Sequence, residues 1–304
     1  MNRGRRAATS SQFVLTVAAP GGARLCRAFA LAFVFVALSG GAARLQARAF
    51  NYQQSSRTAL TPLQREIETL RARLASADTE ERREAVMRLG AMARPDSSRA
   101  ALPALKDRAV IVRATAARAV LSLPAVEAAA ALLPLLADKD EFVRRETAYA
   151  LGETRSRAAV EALATVLARD KEAGVRGAAA VALGQIGDER AVPVLTEAIG
   201  RRIARAGFFN RITFRRTEEN EFVRRASAVA LGQLKSRAAV PALINVLANE
   251  RAGDDVRREA ARALGLIGDA SAIPTLRAAL ATRDPYLSEI AAEAIRRLES
   301  AKPA

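Results

Sequence analysis

Arginine is the residue type through which this chain could act on something outside itself. Six arginines stand at near-equal intervals: Arg82, Arg113, Arg144, Arg176, Arg224 and Arg257. A guanidinium is planar and offers five donors in a fixed fork, so one side chain can satisfy several carboxylate or carbonyl acceptors. The residue after each column member reads Arg83, Ala114, Arg145, Gly177, Arg225 and Arg258. Four residues further the column reads Met87, Arg118, Tyr149, Val181, Val229 and Arg262. Residues four apart share a helix face. That face is therefore basic at both ends and apolar in its middle, which suits an acidic or mixed partner. Ion pairs to Glu84, Glu146 and Glu259 on a solvated surface account for the same pattern.

The densest cluster is RRIARAGFFNRITFRR, residues 201–216. It carries Arg201, Arg202, Arg205, Arg211, Arg215 and Arg216 together with Phe208, Phe209 and Phe214. Aromatic rings beside arginine make the anchors of protein interfaces. They also suit phosphate contact plus base stacking. Rings packed on neighbouring helices, with the arginines in water, are the third reading of the same residues.

Other chemistry is missing. The chain has no histidine, hence no imidazole base, triad or imidazole metal ligand. Cys26 is its only cysteine. No catalytic residue, metal ligand, cofactor site or small-molecule substrate is indicated. Carboxylates do gather at Glu218, Glu219 and Glu221 and at Asp254 and Asp255. They fall at expected helix starts, where capping and the helix dipole account for them.

Residues 1–49 differ from the rest. They hold seven arginines and no acid, then an unbroken apolar run, Ala28–Leu38, then Ala47-Arg48-Ala49. A basic start, a short apolar run and an A-x-A site in that order make an export signal. Eleven apolar residues fall short of the roughly 20 that span a bilayer. The expectation is an exported protein, periplasmic or secreted, with membrane anchoring through 28–38 as the alternative. Loss of 1–49 lowers the net charge from +16 to +9 and removes Cys26. Residues 50–59 read as a linker and 300–304 as a tail.

The elements that must position these arginines come from a repeat. DDVRREAARALGLIGDASAIPTL begins at Asp254, EFVRRASAVALGQLKSRAAVPAL at Glu221, AGVRGAAAVALGQIGDERAVPVL at Ala173 and EFVRRETAYALGETRSRAAVEAL at Glu141. Weaker copies begin near Glu80 and Val110, and a truncated one at Asp284. Val112, Val143, Val175, Val223 and Val256 are separated by 31, 32, 48 and 33 residues. A period near 32 with two apolar stripes means stacked helix pairs. In the unit from Asp254 the Gly268-Asp269 pair stops one helix, and Pro274 in the first turn of the next is tolerated because its missing N–H would have no partner. The predicted fold is all-α: an α-solenoid, a right-handed superhelix of about seven stacked antiparallel pairs over 60–299. The 48-residue step places an insertion at about 200–220, in the turn inside one pair. FFNRITF has strand propensity, so the insertion is expected as a short hairpin or as a helical extension through Arg205.

The motif D/E-x-V-R-x-x-A-x-x-A-L-G followed by A-V-P-x-L resembles HEAT repeats, in the short form of phycobilisome-lyase-type proteins. The resemblance covers nearly everything after residue 60. It implies that Arg82, Arg113, Arg144, Arg176, Arg224 and Arg257 form a ladder between repeats, bonding turn carboxylates and carbonyls. It also implies that the helices bearing Arg83, Arg118, Arg145, Tyr149, Arg225, Arg258 and Arg262 line a concave side. The fold hosts many functions. Deoxyhypusine hydroxylase, an iron enzyme of this kind, uses His-Glu pairs; the matching helices here read Arg-Glu or Arg-Ala, so that activity is not carried over. The expected role is an exported scaffold that binds a protein through the basic face and residues 201–216. Polyanion or nucleic-acid binding, as in HEAT-fold DNA glycosylases, is the alternative, and a lyase- or hydroxylase-type enzyme rests on resemblance alone.

Overall fold

A computed structural model describes residues 60–204 and 216–300. Residues 1–59, where the export signal and linker are expected, residues 205–215, and residues 301–304 of the expected 300–304 tail lie outside the described residues. From Pro62 onward the chain forms one unit, and its described residues form a stack of seven helix pairs. In order they are α1 (Pro62–Arg73) with α2 (Thr79–Ala91), α3 (Pro95–Ala101) with α4 (Val110–Ala119), and α5 (Ala125–Leu132) with α6 (Glu141–Thr154). Next come α7 (Val160–Arg169) with α8 (Ala173–Ile186) and α9 (Val192–Gly200) with α10 (Glu221–Leu234). The last are α11 (Val240–Ala248) with α12 (Asp254–Ile267) and α13 (Ile273–Ala279) with α14 (Pro285–Ser300). Even-numbered helices stack into one wall and odd-numbered helices into the other, as the solenoid reading requires.

Local chemistry sets the ends. Asp78, Asp140 and Asn220 cap α2, α6 and α10 by accepting from Glu80 N, Phe142 N and Phe222 N. Proline opens α9, α11 and α13 in the first turn. Gly187 and Gly268 end α8 and α12 with φ of 72° and 81°, a conformation that suits glycine. The core runs continuously between the walls. Leu89, Leu151, Leu183, Leu231 and Leu264 repeat at one position, each fully buried, a burial that contributes roughly 1.5–3 kcal/mol per side chain.

One glycine column makes this packing close. A Cβ on Gly152 would lie 2.7 Å from the Ala182 Cα, and one on Gly184 would lie 2.9 Å from the Ala230 Cα. On Gly90 and Gly232 it would lie 3.0 Å from the Cα atoms of Ala119 and Ala263. The even helices therefore meet backbone to backbone. The α4 repeat breaks the column, with Leu121 where α2, α6, α8, α10 and α12 have glycine. Helix α4 is also short, 10 residues against 14 in α6 and α8.

The fold is all-α as expected, with one short ribbon at the base of the insertion. Strands β1 (Arg202–Ala204) and β2 (Arg216–Glu218) pair antiparallel, Arg202 opposite Glu218 and Ala204 opposite Arg216. The helical alternative for the insertion gives way to a ribbon at its base, because α9 ends at Gly200 and the Glu219 N–H closes onto the Arg201 carbonyl at 2.9 Å.

Candidate partner-binding surface

The arginine ladder fixes what the remaining surface can do. Arg82 donates from Nε and Nη2 to Asp107 at 2.7 and 2.9 Å, and from Nη1 to the Ser76 and Ala77 carbonyls. Arg113 repeats this on Asp138 and the Asp107 and Arg108 carbonyls, and Arg144 on Asp170 and the Asp138 and Lys139 carbonyls. Each aspartate thus serves two repeats: its carboxylate receives one arginine and its own carbonyl the next. The acids three or four residues ahead of the arginines, Asp140, Glu172, Glu221 and Asp254, are not the ladder partners. The partners are the turn acids of the following pair. Burial alone would raise the carboxyls of Asp107, Asp138 and Asp170, but the guanidinium bonds and a backbone N–H hold them below the ordinary carboxylate range.

The insertion uses the same ladder with a longer arm. Glu219 takes the place of the turn aspartate and accepts from Arg176 Nε at 3.0 Å and Nη2 at 2.5 Å. Its side chain is fully buried. Beyond it the pattern changes. Arg224 donates to the Ile199 and Ala252 carbonyls and Arg257 to the Leu247 carbonyl. The bidentate contact to a turn carboxylate passes to the next residue: Arg258 meets Asp284 at 2.8 and 3.0 Å, with Asp255 at 2.8 Å. Nothing in the sequence marked that shift, since Arg257 and Arg258 are adjacent and chemically identical.

The candidate binding residues divide accordingly. Arg258 is tied into the ladder and lies over the Tyr286 ring at 5.2 Å. Arg201, expected in the exposed patch, is largely buried and donates to the Leu167 and Ala168 carbonyls, so it anchors the ribbon instead. Arg83 pairs with Glu80, Arg145 with Glu146, Arg225 with Asp255 and Arg262 with Glu259. Glu146 and Glu259 are partners the sequence suggested; for Arg83 the partner is Glu80 rather than Glu84. Arg118 is the loosest: its one ionic contact among the described residues is Glu153 at 3.8 Å, with 62% of its side chain exposed. Tyr149 is half-buried against the core. Arg205, Phe208, Phe209, Arg211, Phe214 and Arg215 lie outside the described residues, as do the side chains of Arg202 and Arg216.

Sequence reasoning missed a groove on the even wall. It has a volume of about 390 Å³ and crosses α2, α4 and α6, with Val86, Met87, Gly90, Ala114 and Phe142 as apolar lining and Arg118 at its edge. The signal was available: the position after each ladder arginine is Ala114 here instead of a long side chain. The other small residue in that column, Gly177, is covered, because a Cβ there would fall inside the Phe222 ring. Two of the carboxylates expected at helix starts have structural partners. Glu219 is a ladder acceptor and Asp255 pairs with Arg225 and Arg258. Among the described residues no cluster of three metal-ligating side chains forms, and no helix is long and apolar enough to cross a membrane.

The family model for HEAT repeats matches residues 67–152, 129–206 and 212–296, well over half of the chain. The chain belongs to the HEAT-repeat family. As a HEAT-repeat protein it is similar to deoxyhypusine hydroxylase-B of Oryza sativa subsp. japonica, 41% identical over 71 residues, 23% of this chain and 24% of that protein. The likeness thus spans about a quarter of that relative. Among solved structures it is similar to YibA of Escherichia coli, 21% identical, over 78% of this chain and 82% of that one, with a TM-score of 0.54. It is also similar to the complex of CpcE and CpcF of phycocyanin lyase from Nostoc sp. PCC7120, 23% identical, over 79% of this chain and 95% of that one, with a TM-score of 0.45. The family model establishes the family, and the likeness to YibA supports the solenoid fold.

Proposed function

We propose that this HEAT-repeat protein is an exported scaffold that binds another protein through its even-helix wall and the 201–216 insertion. One observation carries the reading. The insertion leaves and re-enters the stack at adjacent backbone positions, Arg201 and Glu219, and both residues are locked into the ladder there. The segment 202–218 that departs there carries three phenylalanines and five of the six arginines of the patch, the residue types that anchor interfaces. Export rests on the order of features in residues 1–49.

The test is a deletion. Replacing residues 202–218 by Asn-Gly keeps the 2.9 Å bond from the Glu219 N–H to the Arg201 carbonyl as the closing bond of a two-residue turn, so this deletion variant should fold. Affinity capture from the native cell envelope, wild type against deletion, should lose specific partners from the deletion alone. Identical captured proteins would overturn the assignment of the insertion. Salt separates the polyanion alternative, because phosphate binding falls by roughly 0.7–0.9 logarithmic units per phosphate for each tenfold rise in salt. An interface anchored on Phe208, Phe209 and Phe214 responds far less. The enzyme alternative, suggested by the hydroxylase relative, requires turnover that depends on a named carboxylate.

A further inference from the structure

Resting on that scaffold reading, we infer that the groove across α2, α4 and α6 is a docking site for an acidic peptide segment, one apolar side chain seated on the floor and one carboxylate on Arg118. The groove follows from two departures in the α4 repeat. Leu121 stands where α2, α6, α8, α10 and α12 have glycine, and Ala114 stands where Arg83, Arg145, Arg225 and Arg258 stand in their helices. The floor left between Val86, Gly90, Ala114 and Phe142 is apolar. Met87, 52% exposed on its lip, leaves a flexible thioether in water that an apolar partner would cover.

Charge selects the occupant. Glu146 also borders the groove, but its side chain is only 19% exposed and pairs with Arg145 at 3.7 Å. Arg118 is the exposed charge at the site, held by one contact at 3.8 Å, beyond hydrogen-bond distance. An incoming carboxylate can take shorter, charge-assisted hydrogen bonds from it. The even wall continues from the groove past Tyr149 and Val181 to the exposed Val229. Successive helix axes lie about 8–10 Å apart, so an occupant reaching from α2 to α6 is a polypeptide segment in length.

The methionines allow a direct readout, since the chain has only Met1, Met87 and Met92. The full chain, carbon-13 labelled at methionine methyls, would be titrated with a synthetic dodecapeptide carrying one leucine and, four residues away, one glutamate in an Ala/Ser background. Two control peptides replace the glutamate by lysine or the leucine by serine. A saturable shift of the Met87 methyl is expected for the first peptide, weakened about twofold to fivefold by lysine, in line with the strength of an exposed ion pair. It should be abolished by serine. Arg118→Glu, at an exposed position, should reverse the glutamate–lysine preference, while Met87→Glu should remove binding of the glutamate peptide, read there by peptide fluorescence polarisation. A Met87 methyl that no peptide moves, or a preference that Arg118→Glu leaves unchanged, overturns the inference. Either result, with partners still lost on deletion of the ribbon, would leave the scaffold reading standing; retention of all partners would remove that reading separately.

Discussion

Helices α4 and α8 hold equivalent places in the stack, yet one carries an open groove and the other is closed. Their turn sides agree. Arg113 and Arg176 are both buried, both bidentate to a carboxylate of the following pair, and both bonded to two carbonyls of their own turn. Their wall sides differ. Gly184 brings α8 onto Ala230, and Phe222 roofs Gly177; α4 is shorter, its repeat has Leu121 for the glycine, and Ala114 is left beneath an open groove. Stacking and surface are therefore set by separate columns of the repeat. The ladder can stay constant while the wall is varied for binding.

The sharpest way to break this comparison is to remove the shared part at both places. Asp138→Ala and Glu219→Ala each strand a buried guanidinium, which costs about 3–5 kcal/mol. Urea unfolding of the two variants should give similar losses. A much smaller loss for Glu219→Ala would mean that the insertion repeat is held by something other than the ladder. Acid adds a second check. The Asp138 carboxyl lies below its unfolded value, near 3.9, so its contribution is complete above that pH and is lost as pH falls through the depressed folded value. Wild type should therefore lose more stability than Asp138→Asn on acidification below about pH 4.

A smaller effect tests the part that differs. Gly184→Ala places a methyl 2.9 Å from the Ala230 Cα, an overpacking that costs about 1–3 kcal/mol. The α4 repeat already tolerates Leu121 at that position, so Leu121→Ala should cost less than Gly184→Ala in the same urea series. The reverse order would show that the glycine column does not control the spacing of the wall.

Helix α6, between the two, offers a correction of smaller size. Thr147 is fully buried and its hydroxyl has no hydrogen-bond partner among the described residues, where the matching positions carry Ala85, Ala116, Ala179 and Ala260, or Ser227 donating to the Val223 carbonyl. Thr147→Val removes an unpaired polar group at nearly constant volume. It should stabilise the fold by about 1 kcal/mol, read as a rise in the urea midpoint at unchanged slope.

Much of this was legible because the repeat prints its constraints many times. The ladder arginines, the Gly187 and Gly268 stops, the prolines that open α9, α11 and α13, and the seven pairs all follow from periodicity. What was not legible is where a repeat departs from its neighbours. Periodicity cannot tell Arg257 from Arg258 as the bidentate donor, because that depends on how far the α13–α14 turn brings Asp284. Nor does it show which acids are the partners, since Asp107, Asp138 and Asp170 lie 25 or 26 residues along the chain from the arginines they receive. The groove was encoded as two substitutions, Ala114 and Leu121, whose meaning depends on which helix comes to lie opposite.

The helix ends give the finest test of the contrast. After α6 and α10 the chain turns left-handed at Arg155 and Lys235, each with φ of 52°, as it does at Gly187 after α8. A side chain in that conformation costs about 1 kcal/mol that glycine avoids. Helix α4 has no such turn; Val120 follows it with φ of −90° and is fully buried. Lys235→Gly should therefore raise stability, by less than about 1 kcal/mol because glycine also gains freedom in the unfolded chain. Val120→Gly should lower it, through lost burial with no strain to relieve. Thermal melts of the pair read this opposition directly. Equal signs would mean that α4 ends like the other even helices, and that its short length is not part of what opens the groove.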